Sequence, residues 1–210
     1  MADVLSDLKD GIRRFRTDVY PAQEETYRRA SQEPQRPRAL IIACADSRVD
    51  PYSLTQSKPG SLFVTRNIGN IVPAYGEMMG GVSAVIEFAV MALKVQHIVV
   101  CGHTDCGAMK GLLNPDAVET MPTVKRWLRN AHTALSVTEA LETEPDDLLK
   151  ITTQQNVLLQ MQHLRTHPSV AAGLQRGELS LSGWLYDIAE GSVSIVEHDE
   201  RVFEPVLDEG

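Results

Sequence analysis

Three short apolar runs constrain this chain more than any other feature: Ala39–Ala43, Leu62–Thr65 and His97–Cys101. Each has the length of a strand, and helical patterns separate them. Apolar runs without polar alternation suit strands covered on both faces, the condition of a parallel sheet between helical layers. The segment 80–94, apolar on nearly every side, predicts a buried helix. Residues from Thr123 to Arg176 read as helical, with breaks near Pro145 and Pro168, and 179–196 predicts a hairpin at a sheet edge around Glu190-Gly-Ser192. The expected fold is α/β: a central, mainly parallel β-sheet flanked by helices, with an N-terminal helical arm and a C-terminal edge hairpin.

The arm is read from residues 4–30. Val4, Leu5, Leu8, Ile12 and Phe15 recur at helical spacing, and Pro21 marks a break before a second, polar helix. Such a stripe must be covered, by the chain's own core or by a neighbouring subunit. Ser31–Pro37, with two prolines, is a connector. The expected organisation is an oligomerisation arm over 1–34 followed by one α/β domain over 35–210.

Composition removes several function classes. With 210 residues the chain fits one domain that buries a full core without disulfide staples, and three cysteines make no disulfide framework. A formal charge of −8 leaves no basic face for nucleic acid or anionic lipid. The first thirty residues carry no apolar signal region, and the apolar stretch in 80–93 is interrupted by Ser83 and Glu87 and too short to span a bilayer. The expected location is the cytoplasm, where thiols stay reduced.

Chemistry concentrates where two of the apolar runs end. Cys44-Ala-Asp46-Ser-Arg48 follows the first run and His103-Thr-Asp-Cys106 follows the third. Ligands of open α/β sheets collect at the carboxyl ends of strands. Cys44, His103 and Cys106 supply two thiolates and one imidazole, a set that suits zinc and leaves a fourth position open, as catalytic zinc sites do. In an extended chain Cys44, Asp46 and Arg48 share one face, and a planar guanidinium grips a carboxylate bidentately. Cys106 is expected to open a helix, whose N-terminus lowers a thiol pKa. Cys101 is assigned to core packing, because Cys is among the most buried residue types.

The segments Cys44-Ala-Asp-Ser-Arg48 and Gly102-His-Thr-Asp-Cys106-Gly resemble the two metal motifs of the β-class carbonic anhydrases, in the same order and at similar separation. The likeness continues through Pro59–Asn67, the helix around Glu87, and Ser182–Asp187, and so spans residues 35–197. It implies a zinc enzyme, one Zn2+ per subunit, that interconverts carbon dioxide and bicarbonate on an α/β fold with active sites at a dimer interface. The assembly expected from it is a homodimer or homotetramer. The implied chemistry is attack on carbon dioxide by hydroxide on zinc, oriented by Asp46, with Arg48 holding Asp46 off the metal.

The resemblance also bears on the surroundings of the site. Members with a closed, bicarbonate-inhibited zinc carry Trp and Gly where this chain has Ile41 and Ala43, which points to the open arrangement, although Arg66 and Tyr186 of the inhibitory pocket are present. Gln35 matches a glutamine that reaches a neighbouring active site to bind substrate. Phe63, Ile68 and Phe88 match the apolar pocket wall, with Phe88 in place of a frequent tyrosine. Five histidines, His97, His132, His163, His167 and His198, have a pKa suited to a proton shuttle, and the sequence selects none. Asp105 receives no role. Two alternatives share the motif: a carbonyl sulfide or carbon disulfide hydrolase of the same fold, and a non-catalytic zinc or bicarbonate-binding scaffold.

Overall fold

The computed structural model describes residues 3–78, 80–141, 144–197 and 200–206. Among these, β1 (Ala39–Cys44), β2 (Leu62–Asn67), β3 (His97–His103), β4 (Ser180–Tyr186), β5 (Val193–Glu197) and β6 (Glu204–Pro205) form one sheet in the order β2-β1-β3-β4-β5-β6. The pairs β1/β2, β1/β3 and β3/β4 are parallel, and β4/β5 and β5/β6 are antiparallel. The mainly parallel sheet flanked by helices is therefore present, and the β4–β5 hairpin stands near its edge. The short β6 lies outside it and was not foreseen, since two paired residues leave no pattern of their own.

The helices are α1 (Val4–Arg14), α2 (Glu24–Gln32), α3 (Pro51–Leu54), α4 (Gly81–Glu87), α5 (Gly107–Leu113), α6 (Pro122–Leu128), α7 (His132–Ala140), α8 (Leu148–Thr166) and α9 (Pro168–Gln175). Leu40, Ile42, Ile98 and Val100 pack on one sheet face with Ile86 and Ala89 around α4 and Val157, Met161 and Leu164 of α8. Ile41, Ala43, Val99 and Cys101 pack on the other with Val49, Leu54 and Trp184. Coverage of both faces is why these strands tolerate no polar alternation, and each buried Leu, Ile or Val contributes roughly 1.5–3 kcal/mol. The close approach of α8 demands glycine beneath it: a Cβ on Gly183 would meet Val157 at 2.5 Å and Met161 at 2.7 Å.

One element differs from expectation. Residues 88–92 continue α4 in a wider turn and leave Phe88 and Met91 half exposed, so this helix is covered on one side only. In the arm, Asp3 caps α1 by accepting from the Leu5 backbone N–H at 3.2 Å, and Phe15, Tyr20 and Tyr27 cluster where the chain turns at Pro21. Val4, Leu5, Leu8 and Ile12 stay at least 58% exposed, so the chain's own core does not cover the stripe.

Strand order positions the site. β1 leads to β2 on one side, whereas β3 is followed in the sheet by β4 on the other, so the strand direction of winding reverses between β1 and β3. The carboxyl ends of two such strands border a crevice. Cys44 is the last residue of β1 and His103 the last of β3.

Candidate metal centre

Cys44 ends β1, His103 ends β3, and Cys106 sits immediately before α5. Their donor atoms all lie within 4.8 Å of one another, and the two sulfurs are 4.0 Å apart. Zinc–sulfur bonds of about 2.3 Å in a tetrahedron place two sulfurs about 3.8 Å apart, so the spacing fits that ion. His103 is fully buried; its Nδ1 donates to the Thr104 carbonyl oxygen at 2.8 Å, while its Nε2 has no hydrogen-bond partner. A buried nitrogen lone pair beside two sulfurs is costly unless an electrophile takes it. The donor set and the orphaned nitrogen both fit zinc.

The two thiols act on each other. The bond from Cys106 pulls the Cys44 pKa well down against the opposing effect of burial, with help from His103 and from the backbone N–H groups of Asp46 and Gly69. Cys106 is pushed up by that same bond and by burial, although the backbone N–H groups of Met109 and Ala108 at the start of α5 pull it down. The start of α5 thus acts on Cys106 in the expected direction, against the opposing effects of Cys44 and burial. Burial alone would lower the His103 pKa, but the Cys44 thiolate, the Thr104 carbonyl and Asp46 outweigh it and raise it. Cys101 lies in the opposite packing cluster, and burial pushes its thiol up to about 12.

Beyond Cys44 the strand does not stay extended. The Val49 backbone N–H donates to the Asp46 carbonyl at 3.0 Å, so Asp46–Val49 forms a turn, which replaces the extended geometry expected for Cys44, Asp46 and Arg48. The turn brings the pair together all the same. Arg48 Nε donates to Asp46 Oδ1 at 2.9 Å and Nη2 to Oδ2 at 2.8 Å, and the Arg48 backbone N–H adds a third bond to Oδ1 at 3.0 Å. These bonds hold Asp46 far below the usual carboxylate range and raise Arg48 further above its own. Asp46 Oδ2 stands 3.9 Å from His103 Nε2. Arg66 secures the turn from β2, donating from Nε to the Cys44 carbonyl at 3.0 Å and from Nη2 to the Asp46 carbonyl at 2.6 Å.

A sequence model described as carbonic anhydrase matches residues 39–193. The solved structure of the β-carbonic anhydrase CcaA superposes with a TM-score of 0.91 at 39% identity, covering 98% of this chain and 93% of that one. The chain belongs to the β-class carbonic anhydrases. A carbonic anhydrase from Pseudomonas aeruginosa is 45% identical over 200 residues, covering 95% of this chain and 90% of its own length. The Coccomyxa β-carbonic anhydrase, solved in complex with acetazolamide, superposes at 0.79 with 31% identity, covering 94% and 89%. The tetrameric enzymes of Sordaria macrospora superpose at 0.80 with 27% identity over 92% of this chain and 97% of theirs.

Within this β-carbonic anhydrase the remaining predicted residues are not all brought to the metal group. Phe63 and Phe88 meet each other, ring centroids 6.0 Å apart, and Phe63 packs on the core cluster beneath α4 and α8. Ile68 is 44% exposed; its carbonyl accepts from Trp127 Nε1 at 2.8 Å. Gln35 stands exposed in the connector before β1. His97 lies at the far end of β3 from His103, between the Ser180 and Ser182 hydroxyls. His132 is exposed, His163 and His167 bind the Val72 and Pro73 carbonyls, and His198 lies outside the described residues.

Sequence reasoning missed two contributors. Asp105 binds Arg48 Nη1 through Oδ2 at 2.9 Å, a contact across 57 residues that only the adjacency of β1 and β3 creates. The loop after β2 is held by α8: Asn156 Nδ2 donates to the Gly69 carbonyl at 3.0 Å, and Gln160 Oε1 accepts from the Val72 N–H at 2.9 Å. Gly69, whose N–H serves Cys44, has φ +77°, and a Cβ there would meet that of Ala108 at 2.9 Å. Among the described residues no helix is long and apolar enough to cross a membrane.

Proposed function

We propose that this chain catalyses the reversible hydration of carbon dioxide to bicarbonate and a proton, with one zinc per subunit held by Cys44, His103 and Cys106. The observation that carries the reading is the pairing of the orphaned His103 Nε2, beside two sulfurs, with a carboxylate 3.9 Å away that Arg48 keeps ionised. Bound there, zinc supplies a Lewis acid that brings the pKa of water towards neutrality.

The chain's own residues do the rest. Asp46 Oδ2 accepts a hydrogen bond from the attacking water and so orients its lone pair. Arg48 engages both carboxylate oxygens, which keeps Asp46 out of the metal's fourth position and favours the open arrangement. Arg66 fixes the Cys44 and Asp46 carbonyls where the chain enters the turn. Phe63, Ile68 and Phe88 form an apolar wall for a nonpolar triatomic substrate, and Gln35 reaches the site of a neighbouring subunit. The uncovered stripe of α1 supports a homo-oligomer, dimer or tetramer, built through an arm over 1–34 and a catalytic domain over 35–210. Three buried free thiols suit the cytoplasm.

The test is an assay of the purified zinc protein for both carbon dioxide hydration and sulfide release from carbonyl sulfide and carbon disulfide. Rapid hydration with slow sulfide release supports the reading. The reverse result assigns a hydrolase of sulfur substrates, and intact zinc with neither activity assigns a binding scaffold.

A further inference from the structure

The ion pair at Asp46 continues outward. Arg48 Nη1 lies 2.9 Å from Asp105 Oδ2, its Nη2 lies 3.4 Å from the Asp105 carbonyl oxygen, and Asp105 Oδ1 pairs with Lys110 of α5. Four charges of alternating sign run from Asp46, whose side chain is 17% exposed, to Lys110 at 54%. A guanidinium has five N–H groups in one rigid plane. Here Nε and Nη2 meet Asp46, and Nη1 meets Asp105. Gripped on one edge only, Arg48 is free to swing together with Asp46; gripped on two edges, its plane is fixed.

Asp105 occupies the turn between β3 and α5, at φ +60°. That left-handed conformation is open to Gly, Asn and Asp and unfavourable for most other residues. Its carboxylate is engaged with Arg48 and Lys110, and no side chain caps α5. Helix capping therefore does not account for it. The turn that carries His103 at one end and Cys106 at the other thus also carries an anchor for Arg48.

We infer that Asp105 is a positioning residue for the reaction: by holding the third arm of Arg48, it sets the guanidinium plane that keeps the Asp46 carboxylate beside the Cys44–His103–Cys106 group without entering it. This rests on the roles proposed above for Asp46 and Arg48.

Asp105→Gly and Asp105→Asn both suit the left-handed backbone; the first removes the anchor and the second keeps an acceptor oxygen without the charge. The zinc-loaded variants are measured for metal content, for kcat and KM of carbon dioxide hydration, and for the 15N signals of the Arg48 guanidinium. Asp105→Gly is expected to keep its zinc and lower kcat about three- to tenfold, the effect of losing one partly exposed charge-assisted bond. KM should stay within about twofold, since the bond acts on Asp46 and not on substrate binding. The Arg48 Nε–H signal, which reports the bond to Asp46, should broaden or shift in Asp105→Gly as the pair is freed to swing, and Asp105→Asn should fall between. Should Asp105→Gly not fold, Asp105→Asn decides by the same readouts. Native kcat with an unchanged Arg48 Nε–H signal overturns the inference, and so does loss of zinc, which would place the effect in the turn. Arg48→Ala, run in parallel, separates the two levels. If it is fully active the Asp46–Arg48 reading itself fails; if it is crippled beside a fully active Asp105→Gly, only the role of Asp105 fails.

Discussion

His103 Nδ1 donates to the Thr104 carbonyl oxygen at 2.8 Å, and this one bond decides which ring nitrogen is left for the two cysteines. A backbone partner fixes both tautomer and ring plane, the task that second-layer groups perform for metal-bound histidines. With the nitrogen preset, zinc retention should depend on the sulfurs. Cys44→Ser is expected to retain less than about a tenth of the native zinc after dialysis against a mild chelator, whereas Cys101→Ala, altered in the opposite packing cluster, should retain it fully. Metal analysis by atomic emission checks both, and full zinc in Cys44→Ser contradicts the ligand assignment.

Arg48→Ala separates metal holding from chemistry. None of the three donors bonds to Arg48, so zinc content should be native, while activity falls about a hundredfold through loss of the group that aims Asp46. Stopped-flow hydration rates normalised to zinc give the answer.

The strands were legible as short apolar runs, all three of which became β1, β2 and β3; burial on both sheet faces accounts for β1 and β3, while the edge strand β2 is only partly buried. The ligands were legible because they end two of those strands. Asp105 was not, because its partner lies in the turn after β1, and nothing local in His103-Thr-Asp-Cys106 marks a bond across the sheet. The bend at Asp46 was missed for a related reason: the spacing of Cys44, Asp46 and Arg48 suits an extended chain, but the Arg48 fork and the two carbonyl bonds from Arg66 favour a turn. Gln35 illustrates a different gap. It stands exposed in the connector, and a role at a metal site would need a second subunit.

Acid stability should depend on His167. Its ring is 2% exposed, Nε2–H donates to the Pro73 carbonyl at 3.1 Å, and Tyr75 packs edge-on at 5.6 Å. Burial lowers its pKa, and the nearby His163 lowers it further. The unfolded chain therefore takes up this proton more readily, near pH 6.5, than the folded chain does. The stabilising contribution is complete above that value and is lost as pH falls through the lower folded pKa. Urea denaturation between about pH 7.5 and pH 5.5 should show native stability falling more steeply than that of His167→Gln. Equal slopes would contradict the assignment.

The arm gives a prediction on assembly. Leu8 and Ile12 are 61% and 68% exposed on one stripe of α1. The double variant Leu8→Glu, Ile12→Glu should shift the protein towards smaller species in light scattering, with zinc content unchanged. A native protein that already scatters as a 23.2 kDa monomer would remove the interface and the role of Gln35 across it.

The central claim is that Cys44, His103 and Cys106 hold a zinc at which Asp46, aimed by Arg48, directs water to carbon dioxide. The most direct measurement is oxygen-18 exchange between carbon dioxide and water, catalysed by protein of verified zinc content. The account predicts rapid exchange that collapses in Arg48→Ala at unchanged zinc. Stoichiometric zinc with no exchange above the uncatalysed rate, or exchange undiminished in Arg48→Ala, would contradict it.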